Sequence, residues 1–161
     1  MPGWTGHIGV WSSWIGYVAV CENEIETSRL GRRDIVISLR GTGTCTEWLK
    51  NLGATTLTTC PFGNANDVKG QTDNSMVETG VLNLYTSSTS ECPSLQQSLR
   101  QEILRLVQKY NNEPLSVTIT GHSLGASLAI LAACDLNKLM KFRKILTFRE
   151  HIRFRIKLDF E

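Results

Sequence analysis

Leu115-Ser116-Val117-Thr118-Ile119-Thr120-Gly121-His122-Ser123-Leu124-Gly125-Ala126-Ser127-Leu128-Ala129 is the stretch on which the reading of the fold turns. Leu115, Val117 and Ile119 alternate with Ser116, Thr118 and Thr120, the period of a strand. Gly121 to Gly125 then forms a tight turn, and Leu124 to Leu136 is small and apolar, as a buried helix would be. Upstream lies the clearest helix. Ser94 and Gln97 fit a capping box, in which each side chain satisfies an orphan backbone N–H. Leu95, Leu99, Ile103, Leu106, Val107 and Tyr110 follow at helical spacing, and Asn111-Asn112-Glu113-Pro114 ends the run. Further out, Ile35 to Leu39 reads as a short interior strand, closed by Arg40-Gly41-Thr42-Gly43-Thr44. Trp14 to Cys21 mixes aromatic and β-branched residues and predicts another strand. Strand, helix, strand, turn, helix is an α/β alternation, which implies a parallel sheet with helices on its faces.

The segments between these are less decisive. Glu22 to Ser28 is polar, and Leu30 to Asp34 reads as a turn. Glu47 to Leu52 fits one or two helical turns. Thr55 to Ser75 is rich in Thr, Gly, Asn and Asp and reads as a long surface loop. In Val77 to Tyr85 the residues Val81, Leu82, Leu84 and Tyr85 should face the core, but no period decides their secondary structure. Thr86 to Cys92 reads as a polar loop.

Composition sets the bounds. With 161 residues, one domain is the expectation. Hydrophobic residues make up 41% and charged residues 20%, enough for a core and unlike a disordered chain. A net charge of +2 excludes the strongly basic profile of a general nucleic-acid binder. No apolar run approaches the roughly 18–20 residues of a membrane span. The opening Met1-Pro2-Gly3-Trp4-Thr5-Gly6-His7 shows neither a signal-peptide nor a transit-peptide pattern. Five cysteines, Cys21, Cys45, Cys60, Cys92 and Cys134, include no C-x-x-C pair, so neither a zinc site nor a thioredoxin-like motif is supported. Reduced thiols are expected, with a disulfide among Cys45, Cys60 and Cys92 left open.

The charge is unevenly placed. Residues 1–137 carry 9 basic and 12 acidic side chains, net −3, and residues 138–161 carry 8 and 3, net +5. We therefore divide the chain into a body, 1–137, and a basic tail, 138–161. In the tail Ile152, Phe154, Ile156 and Leu158 alternate with Arg153, Arg155 and Lys157, giving one apolar and one cationic face. Left unpaired, such a strand would invite aggregation.

Gly121-His122-Ser123-Leu124-Gly125 matches G-x-S-x-G. A serine there sits on a sharp strand-to-helix turn that exposes its hydroxyl. Side chains at Gly121 or Gly125 would collide with neighbouring backbone, and the helix start offers N–H groups to a developing oxyanion. The bland alternative is a glycine-rich turn around an inert serine.

With these residues in view, the chain resembles the class 3 (fungal-type) lipases, and more closely the plant class I phospholipases A1, which are plastid acylhydrolases. The resemblance is carried by Gly16-Tyr17-Val18-Ala19-Val20, Arg33-Asp34-Ile35-Val36-Ile37, Arg40-Gly41-Thr42, Glu47-Trp48-Leu49, Leu84-Tyr85-Thr86-Ser87 and Thr118 to Ala126. It runs from about Trp14 to Asp135. It implies part of an α/β-hydrolase-type fold, with a mostly parallel sheet flanked by helices, whose last strands lie beyond this chain. It also implies a serine acyl-ester hydrolase that needs no cofactor or metal and removes an acyl chain, at the sn-1 position, from glycerophospholipids or galactolipids at a membrane surface. A chloroplast location is implied by the resemblance alone; otherwise the expectation is cytoplasmic. Position by position, Ser123 matches the nucleophile, and Thr42 and Leu124 match the residues whose backbone N–H groups form the oxyanion hole. Gly43 to Leu52 corresponds to the lid, with Trp48, Leu49 and Leu52 able to meet lipid.

A serine nucleophile needs a base and an orienting acid, which follow it in the order Ser, Asp, His in such enzymes. Neither is identifiable here. His7 precedes the core, His122 sits inside the elbow, and His151 stands alone beside Glu150. Asp135 is three helical turns along the buried helix, away from the elbow. No family pattern is legible beyond about Asn137, so the chain reads as a C-terminally truncated, weakly active or inactive lipase. The competing expectation is a catalytically dead lipid-binding or interaction module that uses the lid region and the basic tail.

Overall fold

The computed structural model describes residues 7–10, 13–41, 56–62, 75–142 and 152–159. Five strands form one sheet. In chain order these are β1 (His7–Val10), β2 (Ser13–Val20), β3 (Arg33–Leu39), β6 (Leu115–His122) and β7 (Ile152–Asp159), and they lie side by side in that order. β1, β2 and β3 pair antiparallel, whereas β3, β6 and β7 run parallel. The parallel crossover from β3 to β6 carries two helices, α2 (Thr79–Thr86) and α3 (Leu95–Lys109), and the crossover from β6 to β7 carries α4 (Leu124–Phe142). This is the α/β arrangement expected from the alternation of elements.

Period-2 patterning puts Ile35, Ile37 and Leu39 of β3 beside Val117 and Ile119 of β6 on one buried face. Helix α3 lays Leu95, Leu99, Ile103, Leu106 and Val107 onto that core, and α4 adds Leu128, Ala132 and Leu136. The Ser94–Gln97 capping box forms as the sequence predicts. At the amino end of the parallel strands a charged cluster joins the elements. Arg33, 1% exposed, donates to both carboxylate oxygens of Glu113, to Glu24 and to the Cys21 carbonyl, and its guanidinium lies 4.3 Å from the centroid of the Tyr110 ring. Its hydrogen bond to Glu113 chiefly raises the Arg33 pKa, which keeps this buried charge fixed.

Several expectations are corrected. The polar stretch after Cys21 holds a helix, α1 (Glu24–Leu30), which buries none of its residues. Its signals are caps: the Asn23 side chain accepts from the N–H groups of Ile25 and Glu26, and Gly31 closes it at φ 63°. Within the expected loop from Thr55 to Ser75, β4 (Leu57–Thr59) pairs antiparallel with β5 (Met76–Glu78). Three residues are too few to show a period. The undecided segment is α2, with Gly80, Val81, Leu84 and Tyr85 buried. In the tail, α4 crosses the change of charge at 138 without a break, with Leu139 and Met140 packed against the core. β7 is paired along its whole length with β6 rather than left single. Cys21 and Cys60 are free thiols, and Cys45 lies outside the described residues.

Candidate active site

The elbow is built by close backbone approach. β6 ends at His122, Ser123 makes the turn, and α4 begins at Leu124. Ser123 has φ 53°, the one non-glycine residue with positive φ among the described residues. Left-handed backbone at a residue with a Cβ costs roughly 1–2 kcal/mol, and the surrounding structure holds it there. A Cβ on Gly121 would stand 2.1 Å from the Gly125 oxygen, and one on Gly125 would stand 2.3 Å from the Leu39 oxygen. Both positions therefore require glycine for space, as the sequence reading expects, and neither has positive φ. The result is a first helical turn pressed against the carboxyl end of β3. The Ser123 carbonyl accepts from the N–H groups of Ala126 and Ser127 and so starts the helix.

The Arg40-Gly41 step reaches the same place. A Cβ on Gly41 would lie 2.7 Å from the His122 carbonyl oxygen and 3.4 Å from the Ser123 Cβ. The chain leaving β3 is thus in contact with the elbow, and Thr42 is the next residue. Thr42 itself lies outside the described residues, as do Trp48, Leu49 and Leu52 of the expected lid. Leu124, 5% exposed, opens α4. Ser123 is partly exposed and His122 is exposed. A hydroxyl at a helix amino end, reachable from solvent, has the geometry for attack on an ester carbonyl, because the peptide dipoles there favour the negative oxygen that would form.

The strand that carries His7 lies away from the serine. His7 opens β1, opposite Tyr17, in the sheet row that continues through Ser38 to Thr120. Three strand spacings put it about 14 Å from β6. His122 is held in the elbow's own backbone. His151 lies outside the described residues, but its neighbour Ile152 pairs with Leu115 at the opposite end of β6, seven residues before His122. At about 3.3 Å per residue that is about 23 Å from the elbow.

Asp135 has another role. It is twelve residues beyond Ser123 on α4, about 18 Å along the axis, and fully buried. Its carboxylate accepts from the Tyr85 hydroxyl at 3.1 Å, from Gln96 Nε2 at 3.2 Å and from Arg100 through two nitrogens, one at 2.9 Å. Burial first, then the charge of Asp135, raises the Tyr85 pKa, so its hydroxyl remains a donor. The group clamps α4 to α2 and α3. Sequence reading excluded Asp135 from the elbow but did not foresee this cluster, because Gln96 and Arg100 are ordinary surface residues in a linear view.

The class 3 lipase family model matches residues 36–154, running through α4 and into β7. The chain belongs to the class 3 lipase family. It is 53% identical over 152 residues to the chloroplastic phospholipase A(1) DAD1 of Arabidopsis thaliana, covering 91% of this chain and 33% of that protein. It is 46% identical over 132 residues to the chloroplastic galactolipase DONGLE of the same plant, covering 78% of this chain and 26% of that protein. Among solved structures, the native lipase–propeptide complex of Rhizomucor miehei superimposes with a TM-score of 0.47 at 23% identity, covering 93% of this chain and 40% of that one. The chain thus spans about a third or less of the curated relatives named here.

The strain at Ser123 gives a direct expectation. Ser123→Gly should raise stability by about 1 kcal/mol, because glycine adopts φ 53° without a Cβ penalty. Urea denaturation with an unchanged m-value measures it. A loss of stability would show that the turn is not strained.

Proposed function

We propose that this chain carries the nucleophile half of an acyl-ester hydrolase of the phospholipase A1 type, acting at the sn-1 position of glycerophospholipids or galactolipids. The observation that carries the reading is Ser123 at φ 53° on the turn into α4, with Gly41 against it. In this mechanism the Ser123 Oγ attacks the ester carbonyl carbon. The N–H groups of Thr42 and Leu124 hold the resulting oxyanion, and the lyso-lipid alcohol leaves with a proton. Water then attacks the acyl-serine, releasing the fatty acid and restoring the hydroxyl. The chloroplastic relatives support a plastid location, and their names, phospholipase A1 and galactolipase, support a glycerolipid substrate.

On this reading the chain of 161 residues turns over slowly, because neither His7 nor Ile152, the neighbour of His151, stands near the elbow. Without a base the Ser123 hydroxyl is a weak nucleophile, so its attack is slow even where the oxyanion is held. The test is p-nitrophenyl butyrate hydrolysis. Weak release is expected, falling to buffer background in Ser123→Ala and unchanged in His151→Ala. A rate indifferent to Ser123→Ala removes the nucleophile assignment. Fast turnover that collapses in His151→Ala shows that the chain supplies its own base.

A further inference from the structure

Arg40 stands apart from the other arginines. Among the described side chains, Arg29, Arg32, Arg33, Arg100 and Arg105 each pair with a carboxylate. Arg40 has no such partner among the described residues, and it is exposed. Its place is fixed by its backbone. The Arg40 N–H donates to the Ile15 carbonyl at 2.8 Å, just past the carboxyl end of β3. A Cβ on Gly125, in the first turn of α4, would stand 2.9 Å from the Arg40 carbonyl carbon. A Cβ on Gly41, the next residue, would stand 3.4 Å from the Ser123 Cβ. With consecutive Cα atoms about 3.8 Å apart, the Arg40 Cα lies within roughly 9 Å of the Ser123 Cβ. A long cationic side chain rooted there, and held by no carboxylate, can turn toward whatever occupies the space around the serine. A solvated guanidinium on a remote surface would call for no account, but this one stands beside the candidate nucleophile.

We propose that Arg40 is a specificity residue, which takes the phosphate of a glycerophospholipid whose sn-1 ester lies at Ser123. The inference rests on the hydrolase reading above and sharpens it, since that reading leaves phospholipid and galactolipid both open. The chemistry separates the two. A guanidinium offers paired N–H donors and a permanent charge, which match the oxygens of a phosphate. A galactosyl headgroup is neutral and gains only ordinary hydrogen bonds from it. In a glycerolipid the headgroup and the sn-1 ester leave opposite ends of one glycerol. A residue near the serine can therefore read the headgroup while the ester is attacked.

The test is binding, so it does not depend on turnover. The full chain carrying Ser123→Ala is titrated calorimetrically with dihexanoyl phosphatidylglycerol and with dihexanoyl monogalactosylglycerol, each below its micelle-forming concentration. Both headgroups are polyols, so the phosphate is the main difference between them. The phospholipid should bind about tenfold more tightly, the gain of a charge-assisted hydrogen bond at an exposed site. R40Q should abolish that preference, whereas R40K, which keeps the charge but loses the fork, should keep part of it. R105Q removes a cation on α3 and should leave the preference unchanged. Equal affinity for the two lipids, no binding of the phospholipid, or a preference that survives R40Q overturns the proposal. So does inorganic phosphate binding as tightly as the phospholipid, which would make Arg40 a site for the free anion. None of these outcomes touches Ser123-dependent release of p-nitrophenol, so the hydrolase reading stands or falls by its own assay.

Discussion

Asp135→Ala is expected to destabilise the chain by about 3 kcal/mol, a large share of the 5–15 kcal/mol typical of a domain. The carboxylate is wholly buried and accepts hydrogen bonds from three side chains on two other helices. Removing it leaves the Tyr85 hydroxyl, itself buried, without this partner, which costs about 1–3 kcal/mol. Breaking a buried ion pair costs about 3–5 kcal/mol when the surviving charge stays buried. Here the Arg100 side chain is 39% exposed and can turn to water, so the lower end applies. The thermal midpoint should fall by about 6–12 °C. Asp135→Asn keeps the shape and one acceptor oxygen and should cost about half as much. Thermal unfolding of both variants, followed by circular dichroism, decides the matter. An Asp135→Ala protein as stable as its parent would mean that the three helices are held by their apolar faces alone.

Such clusters are the part of the molecule that a linear reading misses. The sheet–helix alternation was legible because it is periodic: β3 and β6 read as strands, and α3 and α4 as helices, from the spacing of their apolar residues. The elbow was legible because glycines are needed there for space, and glycine is visible in a sequence. α1 escaped because it buries nothing, so it has no apolar stripe, and only Asn23 and Gly31 mark its ends. β4 and β5 escaped because three residues cannot establish alternation. Nothing in the sequence pairs Asp135 with Arg100 and Tyr85, or Arg33 with Glu24 and Glu113, because these partners stand 9 to 80 residues away. The site itself was half legible. Ser123 and Leu124 follow from the motif, and Gly41 brings the segment that leads to Thr42 against them. The place of β7 is visible only in three dimensions, where its register sets Ile152 beside Leu115, at the end of β6 away from the elbow.

Gly121→Ala should be more damaging than Asp135→Ala, costing about 4 kcal/mol or more, an exceptional loss for a single methyl. The added Cβ would meet the Gly125 oxygen at 2.1 Å, the Gly125 carbonyl carbon at 2.3 Å and the Ala126 nitrogen at 2.8 Å. All three are backbone atoms of the first turn of α4, so no side-chain rotation relieves the clash. The turn must move away from β6 by about an ångström. Overpacking of flexible side chains costs about 1–3 kcal/mol, and a backbone obstacle exceeds that. Gly31→Ala is the control. Gly31 has φ 63° with nothing within 4 Å of an added Cβ, so only the left-handed backbone penalty of about 1 kcal/mol applies. Urea titration should therefore rank the variants Gly121→Ala far below Gly31→Ala. The same displacement would carry Ser123 and Leu124 off their positions beside Gly41, so any Ser123-dependent release of p-nitrophenol should disappear even in the folded fraction. If Gly121→Ala and Gly31→Ala proved equally stable, the close contact between β6 and the first turn of α4 would not hold in solution, and the strained serine would have no structural reason to be there.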